Sequence, residues 1–140
     1  MNANRGTRTG ALVAAALALV PMGAGPAVAE RIANPVAVFE GLDKITGRTI
    51  SFDVYMDETV QFGALQVTPR VCYTRSPTEE PRTDAFVEVD EITLNRQVQR
   101  IFTGWMFAAS PGLNAVDHAV YDVWLTDCKM SSPVPPPAAR

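Results

Sequence analysis

The stretch ISFDVYM, residues 50–56, decides the fold class because apolar and polar side chains alternate along it. A two-residue period is typical of a strand with one buried face, whereas an amphipathic helix repeats about every 3.6 residues. The polar segment DET, residues 57–59, follows directly and is short enough for a tight turn. The chain is therefore expected to continue as a second strand that returns antiparallel to the first.

The rest of the sequence after residue 30 also favours strands. Residues 30–140 contain 13 Val, 5 Ile and 10 Thr but only 5 Leu, a bias that suits a pleated sheet better than a helix. We predict an all-β domain, a small antiparallel β-sandwich or partly open barrel of six or seven strands, with one short helical turn over residues 112–116. The other strands are expected at residues 36–39, 60–73, 85–92, 98–109 and 119–128.

Three positions carry more specific expectations. Gly63 lies inside the returning strand and indicates a bulge or the close approach of another group to the backbone. Pro69 cannot donate to a sheet, so its strand should lie at an edge or break there. The segment 98–109 is apolar on both faces, which predicts a central strand covered on both sides, with Trp105 in the core.

Residues 1–29 have the pattern of a secretory signal peptide. Arg5 and Arg8 precede an unbroken apolar run at residues 11–20, and the segment ends on the small-residue site Ala27–Ala29. As a helix the run would be about 15 Å long, half of a hydrocarbon core about 30 Å thick, so a transmembrane anchor is the weaker interpretation. We predict cleavage after Ala29 and a periplasmic protein with no stable membrane insertion.

The mature chain would consist of one β domain, residues 30–129, and a proline-rich tail, residues 130–140, that is expected to be disordered. Removing Arg5 and Arg8 leaves 10 basic and 15 acidic side chains and a formal net charge of -5. A chain of this charge is not expected to bind nucleic acid or an anionic membrane surface. The oligomeric state is left open by the sequence.

The mature chain contains two cysteines, Cys72 and Cys128, so only one intramolecular pairing is possible. An exported chain meets an oxidising compartment, and we therefore predict a structural disulfide. A catalytic or metal-binding thiol would need a nearby base or further soft ligands, and the chain has a single histidine. Both cysteines alternate out of phase with the most apolar face, so the bond is expected on the secondary face or at a sheet end unless a bulge near Pro69 resets the phase.

The candidate functional residues are few. His118 is the only histidine and follows Asp117, so it could serve as a general base or a metal ligand, although a turn histidine bonded to the backbone is commoner. His118, Tyr121, Asp122 and Trp124 form the candidate contact set for a partner or ligand. Within this set we favour Trp124, because it lies on the less apolar phase of its strand. No metal site and no cofactor are expected.

Two other arrangements of polar residues are weaker candidates. Ser110 precedes His118 and Asp122, but no G-x-S-x-G turn surrounds the serine, so a hydrolase triad is a remote alternative. Glu88 and Asp90 share one face of a predicted strand and could be imagined as calcium ligands. They lack the spaced oxygen ligands of a calcium loop, and a solvated face is the commoner arrangement.

A second line of inference comes from a resemblance that is clearest in the last third of the chain. The block GWMFAASPGLN at residues 104–114 is followed by His118, by VYDVW at residues 120–124 and by Cys128. LDKITGRT at 42–49, FGAL at 62–65 and PRVCY at 69–73 extend the pattern upstream. Over about residues 36–129 the sequence resembles the bacterial domain of unknown function 2155 family (DUF2155), with Ala119 where proline is expected. The resemblance implies a small exported protein typical of alphaproteobacteria and no established activity.

These observations predict a non-enzymatic periplasmic interaction module, an accessory of an envelope protein complex whose partner is another envelope protein. A small-ligand binding protein, for a glycan or a peptide, is the alternative from a second class. A hydrolase around Ser110 and His118 is the third.

Overall fold

The structure is a computed structural model that describes residues 30–137, together with Gly10, Gly23 and Gly25. Apart from these three glycines, the predicted signal peptide lies outside the described residues. Residues 30–137 form nine strands and no α-helix. The strands are β1 (Arg31–Ala33), β2 (Val36–Asp43), β3 (Arg48–Tyr55), β4 (Val60–Phe62), β5 (Leu65–Arg75), β6 (Asp84–Ile92), β7 (Val98–Phe107), β8 (Val116–Asp117) and β9 (Tyr121–Lys129).

The strands form two antiparallel sheets, which confirms the all-β prediction. Sheet A has the strand order β1-β5-β6-β7, and the short β4 also pairs with β5. Sheet B has the order β3-β2-β9-β8. Neither sheet closes into a barrel. The strand count exceeds the predicted six or seven because β1 and β8 are too short to leave a pattern in the sequence, and because residues 60–73 divide into two strands.

The core lies between the two sheets. Alternate side chains of both sheets meet there, because successive residues of a strand point to opposite faces. Phe39, Phe52 and Phe62 form a stack, with ring centroids 5.8 Å and 5.7 Å apart. The largest fully buried side chains are Phe39, Leu65, Met106 and Leu125.

Gly63 explains the division of the returning strand. It has a φ of 57°, in the left-handed region that favours glycine, and it turns β4 back onto β5, where Phe62 pairs with Leu65. The ring of Tyr121 packs against it, since a Cβ at position 63 would lie 2.3 Å from Tyr121 Cζ. The close approach predicted at Gly63 is therefore confirmed, with a tight turn in place of a bulge.

Two β-bulges reset the alternation of strands β5 and β9. The register between β5 and β6 skips Arg70, and the register between β2 and β9 skips Thr126. Each extra residue moves every later side chain of its strand to the opposite face. A bulge near Pro69 was considered as a condition on the position of the disulfide, and it is present. The bulge at Thr126 was not predicted.

The disulfide joins Cys72 of β5 to Cys128 of β9, so the predicted pairing is confirmed. Both cysteines are buried and belong to the core cluster between the sheets. The secondary face or a sheet end was expected only without a bulge near Pro69, and that bulge is present. The two bulges turn both side chains inward, and the bond links sheet A directly to sheet B.

Pro69 is tolerated because β5 is locally an edge. On one side β5 pairs with β4 up to Val67 and with β1 only from Tyr73 onward. Pro69 lies in the gap between these two partners, where no strand needs a donor from it. Its carbonyl accepts a hydrogen bond from the backbone of Asp57 at 2.8 Å.

Two details of the predicted fold are corrected. Strand β7 is not central but lies at the edge of sheet A, and Trp105 is half-buried on the outer face of this sheet instead of in the core. Residues 112–116 form no helical turn. Leu113 donates to the carbonyl of Ser110 in a single hydrogen-bonded turn, and β8 begins at Val116.

The described part of the tail, residues 130–137, forms no strand or α-helix. Ser132 Oγ donates to Asp53 Oδ2, and Tyr55 Oη donates to the carbonyl of Val134 at 2.6 Å. Lys129 Nζ lies 2.7 Å from the same Asp53 carboxylate. The start of the tail therefore lies against β3, and disorder of the tail stays a prediction.

Candidate functional site

The four predicted contact residues lie in β9 and in the loop before it, but they do not share one surface. Tyr121 packs its ring on Phe62 at 5.4 Å and belongs to the edge of the core. Asp122 and Trp124 occupy the alternate phase of β9 and lie on the outer face of sheet B. His118 stands in the loop between β8 and β9.

His118 has both ring nitrogens engaged. Its Nε2 lies 2.8 Å from Glu91 Oε1, and the backbone N–H of Val120 donates to Nδ1 at 3.0 Å. Because Nδ1 accepts this bond, the neutral imidazole carries its hydrogen on Nε2 and donates it to Glu91. The ring also stacks on Tyr121, with centroids 5.7 Å apart. His118 therefore fastens the β8–β9 loop of sheet B to β6 of sheet A.

Asp122 has a positive partner. Lys44 Nζ lies 2.8 Å from Asp122 Oδ1 and 2.7 Å from Asp117 Oδ1, and it also donates to the carbonyl of His118 at 2.7 Å. The hydrogen bonds to Asp117 and Asp122 raise the pKa of Lys44. The same contact with Lys44 lowers the pKa of Asp117. This cluster ties the turn after β2 to β8 and β9, so Asp122 serves the packing of sheet B.

Trp124 is the member of the set that reaches an open surface. It is half-buried on sheet B beside Glu40, its register partner on β2. It lines an open cavity of about 370 Å³ together with Leu113 and Asp122. Because Trp124 and Cys128 lie on opposite faces of β9, the tryptophan does not pack on the disulfide.

Ser110 and His118 do not form a catalytic pair among the described residues. The backbone N–H of Ser110 donates to the carbonyl of Phe107, and its side chain lines a cavity formed with Arg82 and Leu113. His118 lines a different cavity. Neither ring nitrogen of His118 is directed at Ser110, since Glu91 and Val120 occupy them.

The acidic pair Glu88 and Asp90 lies in a network of charges on the outer face of sheet A. Arg70 Nη2 lies 2.8 Å from Glu88, and Arg100 bonds to Asp90 through its Nε. Arg70 also contacts Asp57 at 2.9 Å, and its hydrogen bonds to Asp57 and Glu88 raise its pKa. The carboxylates thus have arginine partners, as expected for a solvated charged face.

The other end of the same face carries aromatic side chains. Tyr73 of β5 stacks on Trp105 of β7 with ring centroids 6.2 Å apart, and Phe86 of β6 meets Trp105 edge-on at 5.5 Å. We call Tyr73, Phe86 and Trp105 the aromatic ladder. All three are half-buried, and the guanidinium of Arg31 lies 5.5 Å from the centre of the Tyr73 ring. The ladder therefore presents apolar rings and a cation to solvent.

The aromatic ladder was not predicted from the sequence, for two reasons. The bulge at Arg70 turns Tyr73 outward, and the expectation of a central β7 placed Trp105 in the core. One usable signal was present. Phe86 shares the phase of Glu88 on β6, so an aromatic side chain stands on a face that is otherwise charged.

Next to the ladder lies a cavity of about 220 Å³, which we call the arginine cleft. Asp84, at the start of β6, is buried in it. Its Oδ2 lies 3.4 Å from Arg75 Nη2 and 3.7 Å from Arg82 Nε, and its Oδ1 has no hydrogen-bond partner. A buried carboxylate oxygen without a donor costs on the order of 1–3 kcal/mol. The residues that line the cleft are Arg31, Arg75, Arg82, Asp84, Trp105 and Phe107.

Comparison with known proteins confirms the family resemblance. The model of the family DUF2155, described as an uncharacterized protein conserved in bacteria, matches residues 37–128, nearly the whole of the two sheets. No curated protein and no solved structure matches the chain. Among the residues that the structure describes, no helix is long and apolar enough to cross a membrane.

Proposed function

Since the chain belongs to DUF2155, a family of uncharacterised bacterial proteins, we propose its function from its own surface. The mature chain is an exported, non-enzymatic interaction module of the periplasm and an accessory of an envelope protein complex. It docks on another envelope protein through the outer face of sheet A. The observation that carries this proposal is the aromatic ladder of Tyr73, Phe86 and Trp105.

The composition of the ladder is that of an interface centre. Tyrosine, tryptophan, phenylalanine and arginine are enriched where proteins bind one another, and truncating such an anchor typically costs about 2 kcal/mol or more of binding free energy. Trp105 packs on both other rings, so the three side chains also lose little conformational freedom on docking. A surface of this kind binds a partner with a small ordering cost.

Charge defines the chemistry of the partner. Arg31 lies over Tyr73 at one side of the ladder, and Arg82 lies 6.0 Å from the centre of the Phe107 ring at the other. The complementary surface therefore has apolar groups opposite the rings and acidic groups opposite the arginines. The mature chain has a formal net charge of -5, so its surface away from these arginines repels such an acidic surface. This difference favours one orientation of docking.

Export is supported by two features of the chain. Residues 1–29 have the pattern of a signal peptide. The two cysteines form a buried disulfide between the sheets, a bond typical of oxidising compartments such as the periplasm.

The two tryptophans allow a matched test, because both are half-buried on outer faces of opposite sheets. Tagged wild type, Trp105→Ala and Trp124→Ala would be expressed with the native leader in the source bacterium, crosslinked in the periplasm and purified. We expect a specific envelope protein with wild type and with Trp124→Ala, and its loss with Trp105→Ala. Thermal unfolding of each variant verifies that the fold survives.

A photo-crosslinking residue at Thr103, on the ladder face of β7, should form an adduct with the same protein, whereas one at Thr49 of β3 should not. Failure to recover any specific partner would count against the proposal. Equal recovery with Trp105→Ala and wild type would place docking elsewhere and overturn it.

The alternative, a small-ligand binding protein, keeps one observation in its favour, the cavity of about 370 Å³ beside Trp124. Its size lies within the range of small-molecule sites. A thermal-shift screen with cell-wall glycan and peptide fragments tests it, since a ligand that binds only the folded state raises the melting temperature. A shift that Trp124→Ala abolishes would favour this function over docking.

A further inference from the structure

We infer that the arginine cleft binds the C-terminal carboxylate of a partner polypeptide, with the terminal side chain against the aromatic rings. This inference rests on the proposed function, because it names the group that the docking partner presents beside the aromatic ladder. It concerns a cavity lined by Arg31, Arg75, Arg82, Asp84, Trp105 and Phe107.

The arginine cleft carries an excess of positive charge. The cleft gathers three arginines around one carboxylate in a chain whose formal net charge is -3. The neighbouring cavity shares Arg75 and Arg82 with the cleft, but there Glu79 and Glu80 balance their charge, so the excess of positive charge lies in the cleft. Guanidinium groups bind carboxylates through paired, directional hydrogen bonds, which makes a carboxylate the fitting anion.

Asp84, which lines the cleft, has an unused hydrogen-bond acceptor. The side chain of Asp84 is 7% exposed, its contacts with Arg75 and Arg82 at 3.4 Å and 3.7 Å are long for charged pairs, and its Oδ1 has no partner. Oδ1 therefore keeps the capacity to accept a hydrogen bond from one more N–H donor. Oδ1 is buried in the free chain, so binding requires a neighbouring side chain to shift, and we take Arg82, whose side chain is 63% exposed and contacts Oδ2, as that group.

A single C-terminal residue matches both the arginines and the Asp84 acceptor of the cleft. A chain terminus carries a carboxylate and, on the same residue, an amide N–H, so one residue can satisfy the arginines and Asp84 together. Trp105 and Phe107 supply an apolar wall for its side chain. A volume of about 220 Å³ suits one terminal residue, since sites for drug-sized ligands are larger, roughly 300–1,000 Å³.

Three probes separate these contributions in NMR titrations of the mature protein. They are acetyl-Ala-Phe with a free carboxylate, the same dipeptide with a C-terminal amide, and the free acid with its last amide nitrogen methylated. We expect the free acid to shift the signals of Trp105 and Phe86, and each modified probe to bind about tenfold more weakly or worse. Equal binding of acid and amide would overturn the inference, as would absence of any binding by the acid.

Two variants and one control assign the effect to the cleft. Arg82→Gln, at an exposed side chain, should weaken binding of the acid but not of the amide. Asp84→Ala, which has no side-chain acceptor, should remove the difference between the acid and its N-methylated form. Arg100→Gln, at an exposed arginine farther along β7, should change nothing. The assignment would be refuted if the Arg82→Gln variant bound the acid as tightly as wild type does. It would also be refuted if the protein bound glucuronic acid but not the dipeptide acid.

The same variants separate this inference from the proposed function. If crosslinking recovers a partner that depends on Trp105 but not on Arg82 or Asp84, docking stands and the carboxylate site is refuted. If no partner is recovered, the proposed function fails irrespective of the dipeptide titration.

Discussion

Removing the disulfide should reduce the stability of the domain by an amount that follows from the fold. The bond joins residues 56 positions apart, so it closes a loop of 57 residues counting both cysteines. Chain-entropy arithmetic gives about 4 kcal/mol for a loop of that length, through restriction of the unfolded chain. This is a large share of a total stability that is typically about 5–15 kcal/mol for a domain.

Urea unfolding of the mature protein and of the double variant Cys72→Ala/Cys128→Ala, followed by intrinsic tryptophan fluorescence, measures this effect. With a denaturant slope of about 1.5 kcal/mol per molar, a loss of about 4 kcal/mol lowers the unfolding midpoint by roughly 2.7 M. Replacing two buried sulfurs by hydrogen adds a smaller packing loss of the same sign.

A matched pair of measurements distinguishes the cross-link from the packing. Both proteins would be unfolded and refolded in excess reductant, where the wild type has thiols in place of the bond. The wild type should then lose most of its advantage over the double variant. A loss below about 1 kcal/mol in the oxidised comparison would refute the entropic argument. An advantage that persists under reduction would show that the sulfurs stabilise by packing alone.

Two further predictions concern single residues. Gly63→Ala should destabilise the domain by about 1–3 kcal/mol, because its Cβ would lie 2.3 Å from Tyr121 Cζ at a φ of 57°. Gly47→Ala is the control, because Gly47 also has a positive φ, 72°, but a Cβ there would meet no atom within 4 Å. Equal shifts of the melting temperature in the two variants would contradict the role of the Tyr121 ring. The pKa of Asp53 lies below its usual 3.8. Burial raises this pKa, but the hydrogen bonds from Lys129 and Ser132 and the charge of Lys129 together lower it by more. A lowered pKa stabilises the fold above pH 3.8 and the effect is lost as the pH falls through the folded value. Urea midpoints of Lys129→Met and wild type should therefore differ at neutral pH and converge in acid, and a constant difference would contradict this.

Most of the strand pattern was predictable from local sequence. The alternation at residues 50–56 belongs to β3 as far as Tyr55, the segment beginning at Val36 is β2, and residues 85–92 lie within β6. These segments alternate regularly, so period and turn chemistry are enough to identify them. The pairing of Cys72 with Cys128 followed from counting, since no other pairing was possible.

The candidate site was predicted less well, because it depends on which face a side chain occupies. His118 and Asp122 were selected for their chemistry, yet the structure engages both in contacts that hold the β8–β9 region in place. Trp124 does reach an open surface. Trp105 was assigned to the core because both faces of its strand are apolar, as in a central strand. An edge strand such as β7 shows the same pattern when its outer face carries aromatic side chains.

The sequence by itself determined that the chain forms antiparallel strands, where most of them run, and which cysteines pair. Those properties depend on periodicity, turn residues and counting, all of which are local. Only the tertiary structure decided which strand lies at an edge and which face each side chain takes after Arg70 and Thr126. A bulge is one residue without a partner on the neighbouring strand, so it exists only once two distant segments are aligned. That alignment placed the disulfide in the core and the aromatic ladder on the surface.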